Sequence, residues 1–310
     1  MSEEFALGLR LDLEPAAKAA WGDARPLFSA SVFDADDKPL PESFTLAKWV
    51  VWWYNQGNVG TCAANSVTGA IQVANTAAYM DGDDFEVVQL SRHFVYYNGR
   101  VKDGLIGRGD GASCTNQMRA AVETGMCREA TAPYKPDARW LDRKPSAAAY
   151  AEAEGCKLTG MISIDPDDIE RRKRSILNGH PIYRGMAWPA GWSQGLIDQY
   201  GRTTRTGREV GGHALYDIGW CLWDGKLYWH RINSHGMIYG IPPKEIRDSI
   251  PGYECAGHKT RTQPIDRCYA FWVRHDHDIA QQGRWQETLS MTGMTGFKLK
   301  NPLTWSRSMS

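Results

Sequence analysis

Between residues 62 and 80, small and apolar side chains recur at helical spacing, at Ala63, Val67, Ala70, Ile71, Ala74, Ala77 and Ala78. That pattern predicts a buried central helix opening at Cys62. A second helix is expected from about Thr115 to Thr124, with Gly125 as its C-terminal cap. The acidic run Asp165-Pro166-Asp167-Asp168 suits the positive end of a third, which carries Ile169, Ile176 and Leu177 and stops at Asn178-Gly179. Strands follow at about 182–187, 213–221, 226–233, 238–241 and 269–274, and Asp224-Gly225 between two of them is a hairpin signal. Helices first and strands afterwards predict an α+β protein of two lobes.

The ends of the chain do not share this patterning. Residues 1–40 contain Pro15, Pro26, Pro39 and the charged stretch Asp34-Ala35-Asp36-Asp37-Lys38. They read as an N-terminal arm or short pro-segment, too short for a large folded prodomain. Residues 276–310, including Gln281-Gln282-Gly283 and Met291-Thr292-Gly293, read as a C-terminal arm, leaving 41–275 as the folded domain. Two arms suit a subunit locked into a larger assembly and equally suit termini without a role.

Composition narrows the function classes. The chain has 310 residues and zero net charge, with 36 residues of each sign, so nothing in its balance points to nucleic acid or an anionic membrane surface. Peptide or protein is the expected partner. Seven scattered cysteines, an odd number with no CxxC pair, argue against a disulfide framework and a zinc ribbon. Met1-Ser2-Glu3-Glu4-Phe5 lacks the basic and apolar regions of a signal peptide, and no apolar run of about eighteen residues exists, so a cytoplasmic location is expected. Arg171-Arg172-Lys173-Arg174 reads as a solvated helical face. His275-Asp276-His277, expected on a strand, has no third ligand nearby in sequence, so neither a metal nor a cofactor is expected.

The chemistry is concentrated in Asn55-Gln56-Gly57-Asn58-Val59-Gly60-Thr61-Cys62. A cysteine in the first turn of a helix faces unpaired N–H groups and the positive end of the dipole, which favour thiolate. An amide side chain six residues earlier, Gln56, is suited to donate to a developing oxyanion. Gly212-His213-Ala214 opens an apolar strand and supplies a base, and Trp229-His230-Arg231-Ile232-Asn233 ends a second strand at an asparagine suited to orient it. Singly these residues have plainer readings: a small core cysteine, a strand histidine satisfied by a carbonyl, a strand-end turn. Their weight is joint.

In order and spacing these residues resemble the papain-like cysteine peptidases. Gln56 and Cys62 match the oxyanion glutamine and the nucleophile, His213 the base, and Asn233-Ser234-x-Gly236 the orienting asparagine. Leu90-Ser91-Arg92 with Tyr96-Tyr97-Asn98, Gly111-Ala112-Ser113, Gly125-Met126-Cys127 and Ala132-Pro133-Tyr134 extend the likeness to roughly residues 40–275. The resemblance implies a helical lobe with Cys62, an antiparallel β-sheet or barrel lobe with His213 and Asn233, and a cleft between them. It implies that Gly111 and Ala112 pair with an extended peptide. Ser113 and Cys114 would then border the pocket for the side chain two residues before the cleaved bond, and Gly212 and His235 would lie near it. Val59 replaces a disulfide cysteine of secreted relatives, Ala63 the tryptophan after the nucleophile, and His235 the tryptophan that shields the asparagine–histidine bond. An exposed Asn233–His213 bond and slowed chemistry are therefore expected. The implied activity is peptide-bond hydrolysis. The rivals are a fold reused as a docking subunit, for example in a viral particle, and a thiol amidase or acyltransferase.

Overall fold

The computed structural model describes residues 7–21, 39–80, 88–192, 195–236, 239–253, 269–280, 287–291 and 294–295. Its helices are α1 (Glu14–Trp21), α2 (Cys62–Met80), α3 (Arg92–Asp103), α4 (Cys114–Glu123), α5 (Ala138–Leu141), α6 (Ala147–Glu154), α7 (Ile169–Leu177), α8 (Lys244–Asp248) and α9 (His275–Ala280). Its strands are β1 (Phe44–Thr45), β2 (Lys157–Leu158), β3 (Met161–Ser163), β4 (Ile182–Pro189), β5 (Glu209–Trp223), β6 (Lys226–Ile232), β7 (Ala270–Arg274), β8 (Glu287–Met291) and β9 (Met294–Thr295).

One antiparallel sheet runs β3-β8-β4-β5-β6-β7, with β1 added to β5. The first half of β5 pairs with β4, setting Met186 opposite His213, and its second half pairs with β6. A bulge between Asp217 and Gly219 separates the two halves. α2 lies across this sheet because its inward residues are small: Ala63, Ala64, Val67, Ala70 and Ile71 are fully buried. A Cβ on Gly69 would come within 2.8 Å of the Tyr216 ring, so the helix approaches the sheet there more closely than any larger residue permits. Ser66 Oγ donates to Ala214 O at 2.7 Å, and Tyr183 OH donates to Ala63 O at 3.0 Å. These bonds fix the start of α2 against β4 and β5.

The predicted helices appear at Cys62–Met80, Cys114–Glu123 and Ile169–Leu177, the last capped by Asp168, which accepts from Arg171 N. The strand expected at 238–241 is not formed by its described residues 239–241, which are irregular. Residues 276–310, read as an arm, contain α9 and also β8, which inserts between β3 and β4, while β9 pairs with β2. His275-Asp276-His277 opens α9 rather than lying on a strand. Trp229 Nε1 donates to His275 Nδ1 at 3.1 Å, and His277 Nδ1 bonds the Thr203 hydroxyl at 3.0 Å. Among the described residues no helix is long and apolar enough to cross a membrane, and Cys62, Cys114, Cys127, Cys156 and Cys221 are free thiols.

The basic run on α7 is not uniformly solvated, because Arg172 is completely buried. Its guanidinium lies 3.7 Å from the Trp229 ring centroid and reaches Asp217 at 2.9 Å and Asp278 at 3.1 Å. Arg231 holds both oxygens of Asp217, at 2.6 and 3.0 Å, and also Asp278 at 2.9 Å, which Arg184 meets at 3.0 Å. These five charges tie α7, β4, β5, β6 and α9 together without solvent. The three guanidiniums hold the Asp278 carboxyl far below its usual range despite burial. Removing that carboxylate strands buried cations, so Asp278→Ala should cost about 3–5 kcal/mol in urea unfolding. A loss below about 1 kcal/mol would show that the cluster is dispensable.

Candidate active site

α2 places Cys62 at its first position, fully buried, with Gln56 on the loop before it. The thiol sits against the backbone amides of Ala214, Gly8 and Ala63. Burial nevertheless dominates and pushes it up to about 11. The sheet brings His213 and Asn233 together from β5 and the end of β6: His213 Nε2 lies 2.7 Å from Asn233 Oδ1. That oxygen also accepts from Ser234 N at 2.7 Å and His235 N at 3.3 Å, and Asn233 Nδ2 donates to Tyr239 OH at 2.6 Å. The amide orientation is thereby fixed, so the imidazole proton belongs on Nε2. Nδ1 keeps its lone pair and has no hydrogen-bond partner among the described residues. Burial lowers His213 to about 4, the Asn233 bond opposing it.

The exposed Asn233–His213 bond expected from His235 is not what forms. His235 lies over His213 with ring centroids 3.9 Å apart and planes tilted by 30°, and Trp188 meets both rings edge-on at 4.8 and 5.8 Å. His213 and Asn233 are at most 1% exposed, so the bond is sealed. Trp188 on β4 and Tyr239 do the shielding and anchoring, and the sequence reading singled out neither. In the sequence Ser234 stands out only as part of the Asn233-Ser234-x-Gly236 motif. It fixes Gln56: Gln56 N donates to Ser234 O at 2.8 Å, and Ser234 Oγ donates to Gln56 Oε1 at 2.7 Å. The Gln56 Nε2 group donates to Val59 O at 2.9 Å.

Of the residues expected to bind peptide, Ala112 and Gly212 direct main-chain groups to residues 8–10 and Gly111 does not. Gly111 N donates to Tyr96 OH at 2.9 Å, and its carbonyl accepts from Arg100 at 3.1 Å. Both groups are thus spent on the buried face of the loop. Ser113 is likewise turned away, capping α4 and donating to Asp103 at 2.7 Å. Cys114 is fully buried, its sulfur packed so close to β4 that a Cβ built on Gly185 would lie 2.7 Å from it.

That cleft is filled by residues 7–21 of the chain itself. Leu9 N donates to Gly212 O at 3.1 Å, Arg10 N donates to Ala112 O at 3.0 Å, and Ala112 N donates to Gly8 O at 2.9 Å. Leu9 is buried, its Cδ2 3.0 Å from the position of a Cβ on Gly185, and Leu11 takes space that a side chain on Gly212 would occupy. Gly8 crosses Gly60, two residues before Cys62, where a Cβ would sit 2.0 Å from the Gly60 carbonyl oxygen. Past this crossing, Glu14 is buried against α4 and accepts from Cys114 N and, at 3.2 Å, from Thr115 N. Burial raises its carboxyl, with these amides opposing.

No family model matches the sequence. An uncharacterized peptidase C1-like protein of Acanthamoeba polyphaga mimivirus is 29% identical over 182 residues, covering 53% of this chain and 54% of that one. The chain spans about half the length of this curated relative. Among solved structures, xylellain, a cysteine protease from Xylella fastidiosa, superposes with a TM-score of 0.63 at 22% identity, over 86% of this chain and 89% of that one. The chain has the papain-like fold. Within it, proCathepsin B S9 from Trypanosoma congolense gives 0.55 at 17% identity over 88% of this chain and 82% of that one. The bromelain protease from Ananas comosus gives 0.54 at 15% identity, over 82% and 99% respectively. The papain-like lobes correspond to the predicted ones, helices α2–α4 carrying Cys62 and the sheet carrying His213 and Asn233.

Proposed function

We propose that this protein is a cysteine peptidase held latent by residues 7–21. The observation that carries the reading is the Nε2-protonated imidazole of His213, fixed by Asn233 with Nδ1 open, on the strand whose next residue, Ala214, offers its amide to the Cys62 thiol. With the cleft open, the thiol proton passes to Nδ1 and the sulfur attacks a peptide carbonyl. Gln56 Nε2 and the Cys62 N–H receive the oxyanion, and the imidazolium protonates the leaving amine to give an acyl-enzyme. Water, deprotonated by Nδ1, then releases the acid and restores the thiol. The chain needs no cofactor for these steps.

In the docked state both members of the pair are held neutral, the thiol at about 11 and the imidazole at about 4. The docked segment is itself protected from cleavage. Its Gly8 carbonyl is bound by Ala112 N, and an amide rather than a carbonyl is what Gly8 offers the thiol. The pocket filled by Leu9 suits a peptide substrate with a branched aliphatic side chain. The test is cleavage of a quenched fluorescent peptide pool by a protein whose segment 7–21 has been displaced. Cys62-dependent hydrolysis is expected. Absence of turnover would move the assignment to a docking subunit, and acyl transfer to an added amine to an acyltransferase.

A further inference from the structure

The loop holding Gln56 is pinned from a direction the catalytic residues do not explain. Tyr134 OH donates to Gln56 O at 2.8 Å, and Thr61 Oγ lies 2.6 Å from the same hydroxyl. Because the tyrosine proton is committed to the carbonyl, Thr61 is the donor to Tyr134. Asn65 Nδ2 in turn donates to Thr61 Oγ and to Thr61 O, both at 3.0 Å. The donors therefore run one way, from Asn65 in the first turn of α2 through Thr61 and Tyr134 to the main chain of Gln56. Chains aligned like this polarise and stiffen one another. Gln56, Thr61 and Asn65 are at most 1% exposed.

A second set of contacts holds Tyr134 itself. The Arg92 guanidinium lies 4.0 Å from its ring centroid and 4.7 Å from that of Tyr54. Arg92 donates to Asn55 O and Asn65 Oδ1, each at 3.3 Å, and pairs with Glu129 at 2.8 Å. Tyr134 N donates to the same Glu129 oxygen at 3.0 Å. The N–H of Gln56 is thus tied to the sheet lobe through Ser234, and its C=O to the helical lobe through Tyr134.

We propose that Tyr134, braced by Arg92 and Glu129, is a positioning residue that sets the distance between the Gln56 amide and the Cys62 N–H, and so the geometry of the oxyanion site. The assignment rests on the peptidase reading above. It acts on charge that develops on a carbonyl oxygen and not on the thiol, which gives it a distinctive signature. In a full-length Gly8→Ala background, Tyr134→Phe should weaken binding of a leucine-containing peptide aldehyde about tenfold and lower kcat by a similar factor. KM and the rate of Cys62 alkylation by iodoacetamide, which forms no oxyanion, should stay within about twofold.

Arg92→Leu, which removes the brace while leaving the tyrosine hydroxyl, should move the same two readouts in the same direction. Unchanged aldehyde affinity in Tyr134→Phe would overturn the assignment. So would an equal fall in aldehyde affinity and alkylation, which marks general loosening of the site. A Gly8→Ala parent that forms no adduct between the aldehyde and Cys62 would overturn the assignment together with the peptidase reading. A parent that binds, beside an unchanged Tyr134→Phe, would overturn the assignment alone.

Discussion

Gly8→Ala is expected to raise the rate of iodoacetamide labelling at Cys62 at least tenfold near pH 7, read by peptide mass spectrometry. The added methyl would sit 2.0 Å from the Gly60 carbonyl oxygen and 2.1 Å from its carbon. Both are backbone atoms, so neither can swing aside. Overpacking of this kind costs about 1–3 kcal/mol, which moves the docking equilibrium by roughly 5- to 150-fold. The chemistry amplifies the change. A docked thiol at about 11 is ionised in only about one molecule in 10⁴ at pH 7.

The pH dependence has a definite sign. A Glu14 carboxyl raised by burial favours the docked state when protonated and loses that contribution as pH rises through its raised value. Thiolate formation also increases with pH, so wild-type labelling should climb continuously toward pH 11, whereas the Gly8→Ala protein should label readily at pH 6–7 in a His213-dependent way. Equal rates in the two proteins at neutral pH would show that the segment does not guard the thiol.

The grouping of Cys62, His213 and Asn233 was legible because each carries its chemistry in its side chain and lies in or beside an element that periodicity marks: Cys62 at a helix start, His213 on β5 and Asn233 directly after β6. The docked segment was not legible for the opposite reason. It holds the cleft mainly through main-chain groups of Gly8, Leu9 and Arg10 and through glycines whose missing side chains make room, and no residue type announces either. That Gly111 offers no free main-chain group was not legible, because Tyr96 and Arg100, on α3 and earlier in sequence, take its amide and carbonyl. Arg172 escaped for a related reason. A run of four cations reads as solvated until a fold brings Asp217 and Asp278 to one of them. The replacement of a shielding tryptophan by His235 misled in its consequence. Shielding depends on what covers the bond in space, and Trp188 on a neighbouring strand supplies the cover.

Cys62→Ala should abolish peptide cleavage in the Gly8→Ala background, lowering kcat by a factor on the order of 10⁴ or more, because the proposed chemistry runs entirely through that sulfur. The fold should survive. Cys62 is fully buried among small neighbours, and replacing a thiol that behaves there as a small apolar group costs about 1 kcal/mol, too little to unfold a domain of this size. The two expectations together separate chemistry from architecture. If activity falls with the melting temperature, the loss reports damage. If it falls while the melt is preserved, the sulfur is the reacting atom. Hydrolysis persisting in Cys62→Ala would sink the peptidase reading outright. His213→Ala provides the complementary arm: it should remove both turnover and the low-pH alkylation of Cys62, since the proton on the thiol would have lost its acceptor at Nδ1.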